Sequence, residues 1–377
     1  MGLFPKRHNA SFLNSGKIRV MEKRLLFIVL FLLVFGLVIL SSAGIVEGQK
    51  KFGSAYYYLN KQILYGVLPG LFLFFLLSKI DYRFWKKLSP FLLFTALVLM
   101  IMVFVPDVGI GLKGASRWVS IGGFSFQPSE ILKLALVVYL AAWFGGRDER
   151  IKSWSYSAAP FFVVLSFAGL LLAMQPDVGT LAVVVLIALG VYFSAGSNLK
   201  HLFAIVAIFL VVVAGLIFVE PYRFNRIKTF LDPSLDQRGI SYQLNQSLIA
   251  IGSGGLLGNG YNESTQKWGF LPEVVNDSIF AIVVEELGFA GAMALLGMFV
   301  FLSHTLISIA RNTSDKFGRL LVMGVNTWII GQAFINIAAV SGLAPLTGIP
   351  LPFVSHGGTA VMALMAGLGI VSNIAKN

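Results

Sequence analysis

The chain has 377 residues, 57% hydrophobic and only 12% charged, with a mean hydropathy of +0.82; this is far outside the balance of soluble domains. It has no cysteine, which excludes disulfides, thiolate metal sites and a cysteine nucleophile. The net charge of +12 does not call for nucleic acid, because the basic residues are scattered among loops and are accounted for by anionic lipid headgroups.

Apolar runs of about 20 residues are long enough to cross a bilayer as helices. Ten are expected, at 25–44, 63–78, 90–106, 129–145, 157–175, 179–195, 202–219, 278–306, 320–341 and 357–373. The run from Leu25 to Leu40 exceeds the apolar region of a signal peptide and reads as a retained span. The fold expected is therefore an all-α polytopic membrane protein. It has a basic cytoplasmic tail (1–24), a single transmembrane domain (25–377) and a large extracytoplasmic loop at about 220–277, between helices 7 and 8. Placing the N-terminus inside leaves 18 Lys and Arg in the inner segments and 10 in the outer loops, five of those in the one long loop. That bias puts both termini in the cytoplasm.

In chain order, the third and fifth spans end in the same tetrad, Pro106-Asp107-Val108-Gly109 and Pro176-Asp177-Val178-Gly179. Such a turn stops a helix and lets the Asp cap the next element. Capping is the reading for Asp107; Asp177, beside Gln175 and leading straight into the next span, is a site candidate. The loop 107–128 carries Arg117 beside Trp118. An Arg there either binds phosphate bidentately or, with the indole, anchors the loop at headgroup depth. Glu130 and Lys133 come next, three apart on one helical face and able to pair. Lys133 is also expected to reach Asp277, forming a cluster of two acids and one cation.

The 220–277 segment contains Arg223, Arg226 and Lys228, an amphipathic stretch at 242–251, and the glycine-rich run 251–260. The amphipathic stretch predicts an ordered, interfacial helix. The glycines suit either a close backbone approach to phosphate or a tight turn. At its end Glu273 leads through Asn276 to Asp277, where polar loop meets the apolar run 278–284. A carboxylate at such a boundary needs a cation or a wet cleft, and is a functional candidate or a structural ion pair. Glu285 and Glu286 lie about 12–14 Å further along the helix, too far to share its proton, and suit pairing with other helices or lining a wet cavity. Asn326, Gln332 and Asn336 read as interhelical glue.

The chain has no Walker lysine loop and no H-E-x-x-H, and its four histidines are dispersed. Two S-x-x-K matches, Ser197 to Lys200 and Ser264 to Lys267, lack a K-T-G element. Acid/base chemistry or ion-coupled transport by carboxylates at the outer edge remains.

Several strings together carry a resemblance: Gly114 to Trp118, Phe126 to Glu130 with Lys133, Gln175 to Thr180, Glu220 to Arg223, Tyr242-Gln243 with Gln246-Ser247, Leu271 to Ala281, Glu285 to Gly288, and Pro350 to Gly358. They resemble the SEDS family, the FtsW and RodA proteins of bacterial cell-wall synthesis, over nearly the whole chain, and their details look closer to FtsW. Asn276-Asp277-Ser278 and Ser355-His356-Gly357 stand where FtsW proteins often have Thr-Asp-Phe and Ser-Tyr-Gly, which leaves the subfamily open, including a sporulation paralogue.

The resemblance implies a peptidoglycan glycosyltransferase that polymerises lipid II at the outer face of the cytoplasmic membrane. Asp277 matches the family's essential Asp and would be the general base for an inverting transfer. Around the substrate and its leaving pyrophosphate it places Arg117, Lys133 and Arg223, with Glu130, Asp177, Gln175 and Glu273. No cofactor is evident; a divalent cation, Mg2+ or Mn2+, is the candidate for bridging the phosphates. The implied partners are undecaprenyl-linked lipid II and nascent glycan, a class B penicillin-binding protein and other divisome membrane proteins. The competing class is a lipid II flippase or ion-coupled transporter, which broken helices and buried charges also suit.

Overall fold

The computed structural model describes residues 8–112, 115–146, 154–219, 221–236 and 238–376. Helices dominate. Helix α1 (His8–Ala43) leads into the short α2 (Ile45–Phe52); α3 (Tyr57–Gln62) continues through a π turn at Ile63–Val67 into α4 (Leu68–Leu77), and α5 (Arg83–Met102) follows. After a small sheet come α6 (Pro128–Phe144), α7 (Trp154–Met174), α8 (Val178–Ser194), α9 (Leu199–Val219), α10 (Pro221–Leu231), α11 (Tyr242–Ser253), α12 (Ile279–Asn312), α13 (Lys316–Val340) and α14 (Gly358–Lys376). Each expected apolar run falls largely on one of these helices, the run at 63–78 taking in the π turn. Among the described residues six spans, in α1, α3 to α4, α5, α12, α13 and α14, are long and apolar enough to cross a membrane. The described apolar stretches of α7, α8 and α9 are shorter.

One expectation needs correction. The fold is not purely helical: β1 (Gly109–Leu112), β2 (Ala115–Ile121) and β3 (Phe124–Phe126) form an antiparallel sheet in the order β1-β2-β3. Gly122 and Gly123, both at positive φ, make the two-residue turn that joins β2 to β3, a geometry favourable to glycine. The basic stretch before Leu25 is also helical from His8 onward. The 220–277 segment is built around α10, α11 and a 3-10 turn at Gln266–Trp268, and α11 contains the helix expected at 242–251.

Local chemistry sets the helix starts. Pro128 stands at the first turn of α6, where its missing N–H costs nothing. Asp177 caps α8 by accepting from the Thr180 N–H at 3.1 Å, and Asp315 caps α13 through Gly318 at 3.0 Å.

Side chains of α6, α8, α13 and α14 are largely buried, whereas Phe94 on α5, Phe203 on α9 and Phe334 on α13 are more than 60% exposed. Large apolar groups facing outward around a buried interior suit a hydrocarbon surround rather than water.

Helix α12, 34 residues long, would reach about 51 Å if continuous, well beyond the ~30 Å hydrocarbon core. It is broken instead. Gly288 has φ 68° and ψ −168°, a conformation open in practice only to glycine. The backbone groups freed at the break bond to the glycine-rich segment: Asn259 and Gly260 N–H donate to the carbonyls of Glu285 and Glu286, each at 3.0 Å. Phe289 and Ala290 N–H donate to the carbonyls of Gly255 (2.9 Å) and Leu256 (3.0 Å). The glycines thus serve close backbone approach, to another backbone. The N-terminal half, Ile279 to Glu286, is buried on every face, as a helix that is apolar nearly all round must be.

Candidate active site

Asp277 sits at the N-terminal end of this buried half-helix. The turn leading to it is closed by Glu273, whose carbonyl accepts from the N–H of Asn276 (3.0 Å) and Ser278 (3.2 Å). Glu273 adopts φ 54°, and its carboxylate accepts from the Asn276 amide at 2.7 Å. The Asp277 side chain is 8% exposed. Its Oδ2 accepts from Gln243 Nε2 on α11 at 3.4 Å, and the same amide donates to Ser278 Oγ at 3.1 Å. Its Oδ1 is buried with no hydrogen-bond partner among the described residues. Burial pushes the carboxyl up to about 6, with Glu273 adding to the rise and Arg226 opposing it.

The segment 346–357 is the hub around which the other candidates gather. Asn336 on α13 donates through Nδ2 to the carbonyls of both Asp277 and Ile349, each at 2.8 Å. One turn earlier, Gln332 donates to the Pro350 carbonyl at 2.9 Å. Its Oε1 receives Lys133 Nζ at 2.8 Å and Trp328 Nε1 at 3.0 Å. Two donors on that oxygen orient the amide, so the nitrogen is left for Pro350. Ser355 Oγ donates to the Asn276 carbonyl at 2.5 Å, and the His356 N–H donates to Val275 at 2.8 Å. The His356 ring meets Tyr58 edge-on, and burial, helped by Lys61, lowers the imidazole to about 4, so it stays neutral at physiological pH. On the far side, a Cβ at Gly179 would stand 2.6 Å from the Thr347 carbonyl, which places the start of α8 against the same segment.

The candidates therefore form three clusters. Glu130 Oε1 and Lys133 Nζ pair at 2.8 Å, almost fully buried. Arg117 lies on the Gln175 to Asp177 turn: its Nε donates to the Gln175 carbonyl at 3.3 Å, an Nη donates to the Pro176 carbonyl, and Asp177 Oδ2 stands 3.9 Å from Nε. Gln175 itself donates to the Met100 carbonyl at 3.1 Å. Asp277 and Glu273 make the third. The expected contact of Lys133 with Asp277 is not formed. Gln332 and the Trp328 ring, 5.3 Å from Nζ, occupy the ammonium's remaining surroundings, so the link to Asp277 runs through α13 and the Ile349–Pro350 backbone. The side chain of Arg223, and Glu220 altogether, lie outside the described residues.

Glu285 and Glu286 are taken up inside the protein. Glu285 accepts from Ser264 Oγ, from the N–H and hydroxyl of Thr265 and from the Gln266 N–H. Glu286 Oε1 receives Ser42 Oγ and Lys267 Nζ. The Ser264 to Lys267 match is thus the start of a turn tied to two buried acids.

Two site residues escape the sequence reading. Arg226, on α10, donates from Nη1 to the Leu346 carbonyl at 2.6 Å. Gly348, exposed and at φ 73°, leaves open a point 3.7 and 3.9 Å from the Arg226 Nη atoms and 3.9 Å from Asp277 Oδ2. The signal for Arg226 is its place one helical turn after Arg223; for Gly348 it is Thr-Gly-Ile-Pro beside a buried acid. Among the described residues no group of three or more His, Asp or Glu is placed to hold a metal ion.

Comparison with known proteins gives consistent matches. A family model described as Cell cycle protein, covering FtsW, RodA and SpoVE, matches residues 23–377. The probable peptidoglycan glycosyltransferase FtsW of Trichlorobacter lovleyi is 38% identical over 93% of this chain and 92% of its own length. Stage V sporulation protein E of Bacillus subtilis is 36% identical over 93% of this chain and 95% of its own length. Among solved structures, a chain of a peptidoglycan synthase complex that coordinates polymerization and crosslinking superposes with a TM-score of 0.76 at 27% identity, covering 93% of this chain and 96% of that one. The rod shape determining protein RodA of Thermus thermophilus gives 0.67 at 28%, covering 93% and 95%.

Proposed function

Because the chain belongs to the FtsW/RodA/SpoVE family and is a peptidoglycan glycosyltransferase, we propose that it polymerises lipid II into glycan strands at the outer face of the cytoplasmic membrane during cell division, with Asp277 as general base. In this reading the ten apolar segments all span the bilayer, both termini are cytoplasmic, and 220–277 lies outside. Only that orientation brings Asp277 to the leaflet where a polyprenyl-linked saccharide is polymerised.

One observation carries the assignment. Asp277 places Oδ2 beside an exposed gap at Gly348 and keeps a buried, unpartnered Oδ1, and a carboxyl pushed to about 6 is ionised at neutral pH yet basic enough to take a hydroxyl proton. The donor carries an α-linked pyrophosphate and the product bond is β-1,4, so a single displacement with inversion suffices. The acceptor 4-hydroxyl oxygen bonds to the donor C1, its proton passes to Asp277, and the C1–O electron pair leaves on the pyrophosphate. That leaving group needs positive charge rather than a proton. Arg117, Arg223 and Lys133 are its candidates, with a divalent cation bridging the phosphates. A class B penicillin-binding protein would supply the crosslinking step.

Transport is disfavoured by the same geometry. A broken helix with buried acids suits a transporter, but Glu285 is saturated by the 264–266 turn and Glu286 is paired with Lys267. The similarity to the sporulation protein favours a second reading of timing, not chemistry: a sporulation paralogue acting on the same substrate. Purified protein in detergent, given lipid II and no second compartment, tests the enzyme. Glycan strands from wild type and none from Asp277→Asn are expected, with and without Mg2+ to place the cation; strands from the variant at the wild-type rate defeat the proposal.

A further inference from the structure

Three residues close to the Gly348 gap each carry a buried oxygen without a partner among the described residues. Asp277 Oδ1, Asn336 Oδ1 and Thr347 Oγ1 all have no hydrogen-bond partner among the described residues. They are neighbours in space: Asn336 bonds the Asp277 and Ile349 carbonyls, and Thr347 precedes the Gly348 gap. A buried oxygen left unpaired is costly, so three on residues that flank one opening mark a place built to receive a polar partner. The fourth wall is Arg226, held by the Leu346 carbonyl.

We propose that the gap at Gly348, bounded by Asp277, Asn336, Thr347 and Arg226, is the subsite for the acceptor sugar, where Arg226 and Thr347 hold the hexosamine whose 4-hydroxyl Asp277 deprotonates. This rests on Asp277 being the base. Two carbonyl or carboxylate acceptors, one hydroxyl and one guanidinium fork match a ring bearing hydroxyls and an acetamido group. The gap itself is backbone only, because Gly348 has no side chain to fill it.

Distance decides which end of the reaction Arg226 serves. The Arg226 Nη atoms and Asp277 Oδ2 lie 3.7, 3.9 and 3.9 Å from one point, so the nearer nitrogen and the carboxylate stand no more than about 7.6 Å apart, the sum of 3.7 and 3.9. An in-line displacement places base and leaving-group cation farther apart. The base lies about 2.6–3.2 Å from the hydroxyl oxygen, and that oxygen about 3–3.5 Å from C1. Beyond C1 come the leaving oxygen, the phosphorus and a charge-assisted bond of about 2.8 Å, on the order of 10 Å in all. Arg226 therefore stands on the acceptor side, and the pyrophosphate is met by other cations.

The test separates the two substrates. Labelled lipid II with its terminal glucosamine 4-hydroxyl inverted serves only as donor, and unlabelled lipid II is titrated as acceptor against the full-length protein. Arg226→Gln, Thr347→Val and Gly348→Ala are compared with Gly53→Ala. Gly53 has a similar φ of 68° with nothing within 4 Å of an added Cβ, and so reproduces the backbone strain alone. The expected result is an acceptor KM raised about tenfold or more in the three variants, the size of one lost polar contact, with donor KM within about twofold and Gly53→Ala unchanged. Unmoved acceptor KM, or a rise confined to donor KM, overturns the subsite. Thr347→Val is nearly isosteric, so it reports even if Arg226→Gln fails to fold. Full polymerisation by Asp277→Asn would instead remove the base assignment; an inactive Asp277→Asn, together with unmoved acceptor KM in Arg226→Gln, Thr347→Val and Gly348→Ala, removes only the subsite.

Discussion

Lys267 Nζ stands 3.0 Å from Glu286 Oε1, and neither side chain is more than 1% exposed. The ammonium also donates to Ser42 Oγ and to both oxygens of Asn262, so it ties the 262–267 turn to α1 and to the end of the half-helix. Removing one partner of such a pair strands a buried charge. Lys267→Met should therefore cost about 3–5 kcal/mol and lower the melting temperature in detergent sharply. Lys267→Met combined with Glu286→Leu should recover most of that loss. A double variant as unstable as the single would show that Ser42 and Asn262, rather than the ion pair, carry the contact.

Asp277 is predicted to trade stability for activity. Its folded value near 6 lies above the ordinary 3.8, so the fold binds the proton more tightly than the unfolded chain does. Stability is then lost as pH rises from about 4 to about 6 and stays lost above. A shift of about two units corresponds to about 3 kcal/mol. Asp277→Asn should melt higher than wild type at pH 7.5 and about equally at pH 4, while losing activity at both. Thermal melts across that range check the sign.

The polymerisation rate should climb through pH 6 as Asp277 ionises. Arg226 opposes the rise in its pKa, so Arg226→Gln should move the acidic limb of kcat to higher pH, whereas Arg226→Lys should keep it near wild type. An unmoved limb in the Gln variant would mean that another group controls it.

Lys133 separates structure from chemistry. Lys133→Met leaves Glu130 buried and unpaired, and should destabilise by about 3–5 kcal/mol. Adding Glu130→Leu should restore folding. Restored folding with restored polymerisation would confine Lys133 to neutralising Glu130; restored folding without polymerisation would assign it to the substrate or to holding Gln332 in place.

The helices are legible because apolar runs near bilayer length have little else to become, and Asp277 is legible because a lone acid at the edge of such a run is costly. The rest depends on partners distant in sequence. Lys133 is expected to seek an acid, yet a neutral amide 199 residues away serves as its second acceptor, since an ammonium needs oxygens and not only charge. Arg226 is one cation among several in a polar segment until α10 sets it beside Gly348. The sheet is hidden although Ile121-Gly122-Gly123-Phe124 is a two-residue hairpin signal, because the neighbouring Arg117-Trp118 pair points toward phosphate. Gly288 carries no signal of a break, since a single glycine in an apolar run is compatible with an unbroken helix.

The joint between residues 255–260 and 285–290 has a practical corollary for protein engineering. Its four backbone bonds weave the glycine-rich segment into the break of α12, so neither piece keeps its conformation without the other. Chimeras that swap the 220–277 segment between relatives should express only when both stretches travel together, and an epitope tag inserted after Leu257 should unravel the interior where one inserted near Pro233 does not.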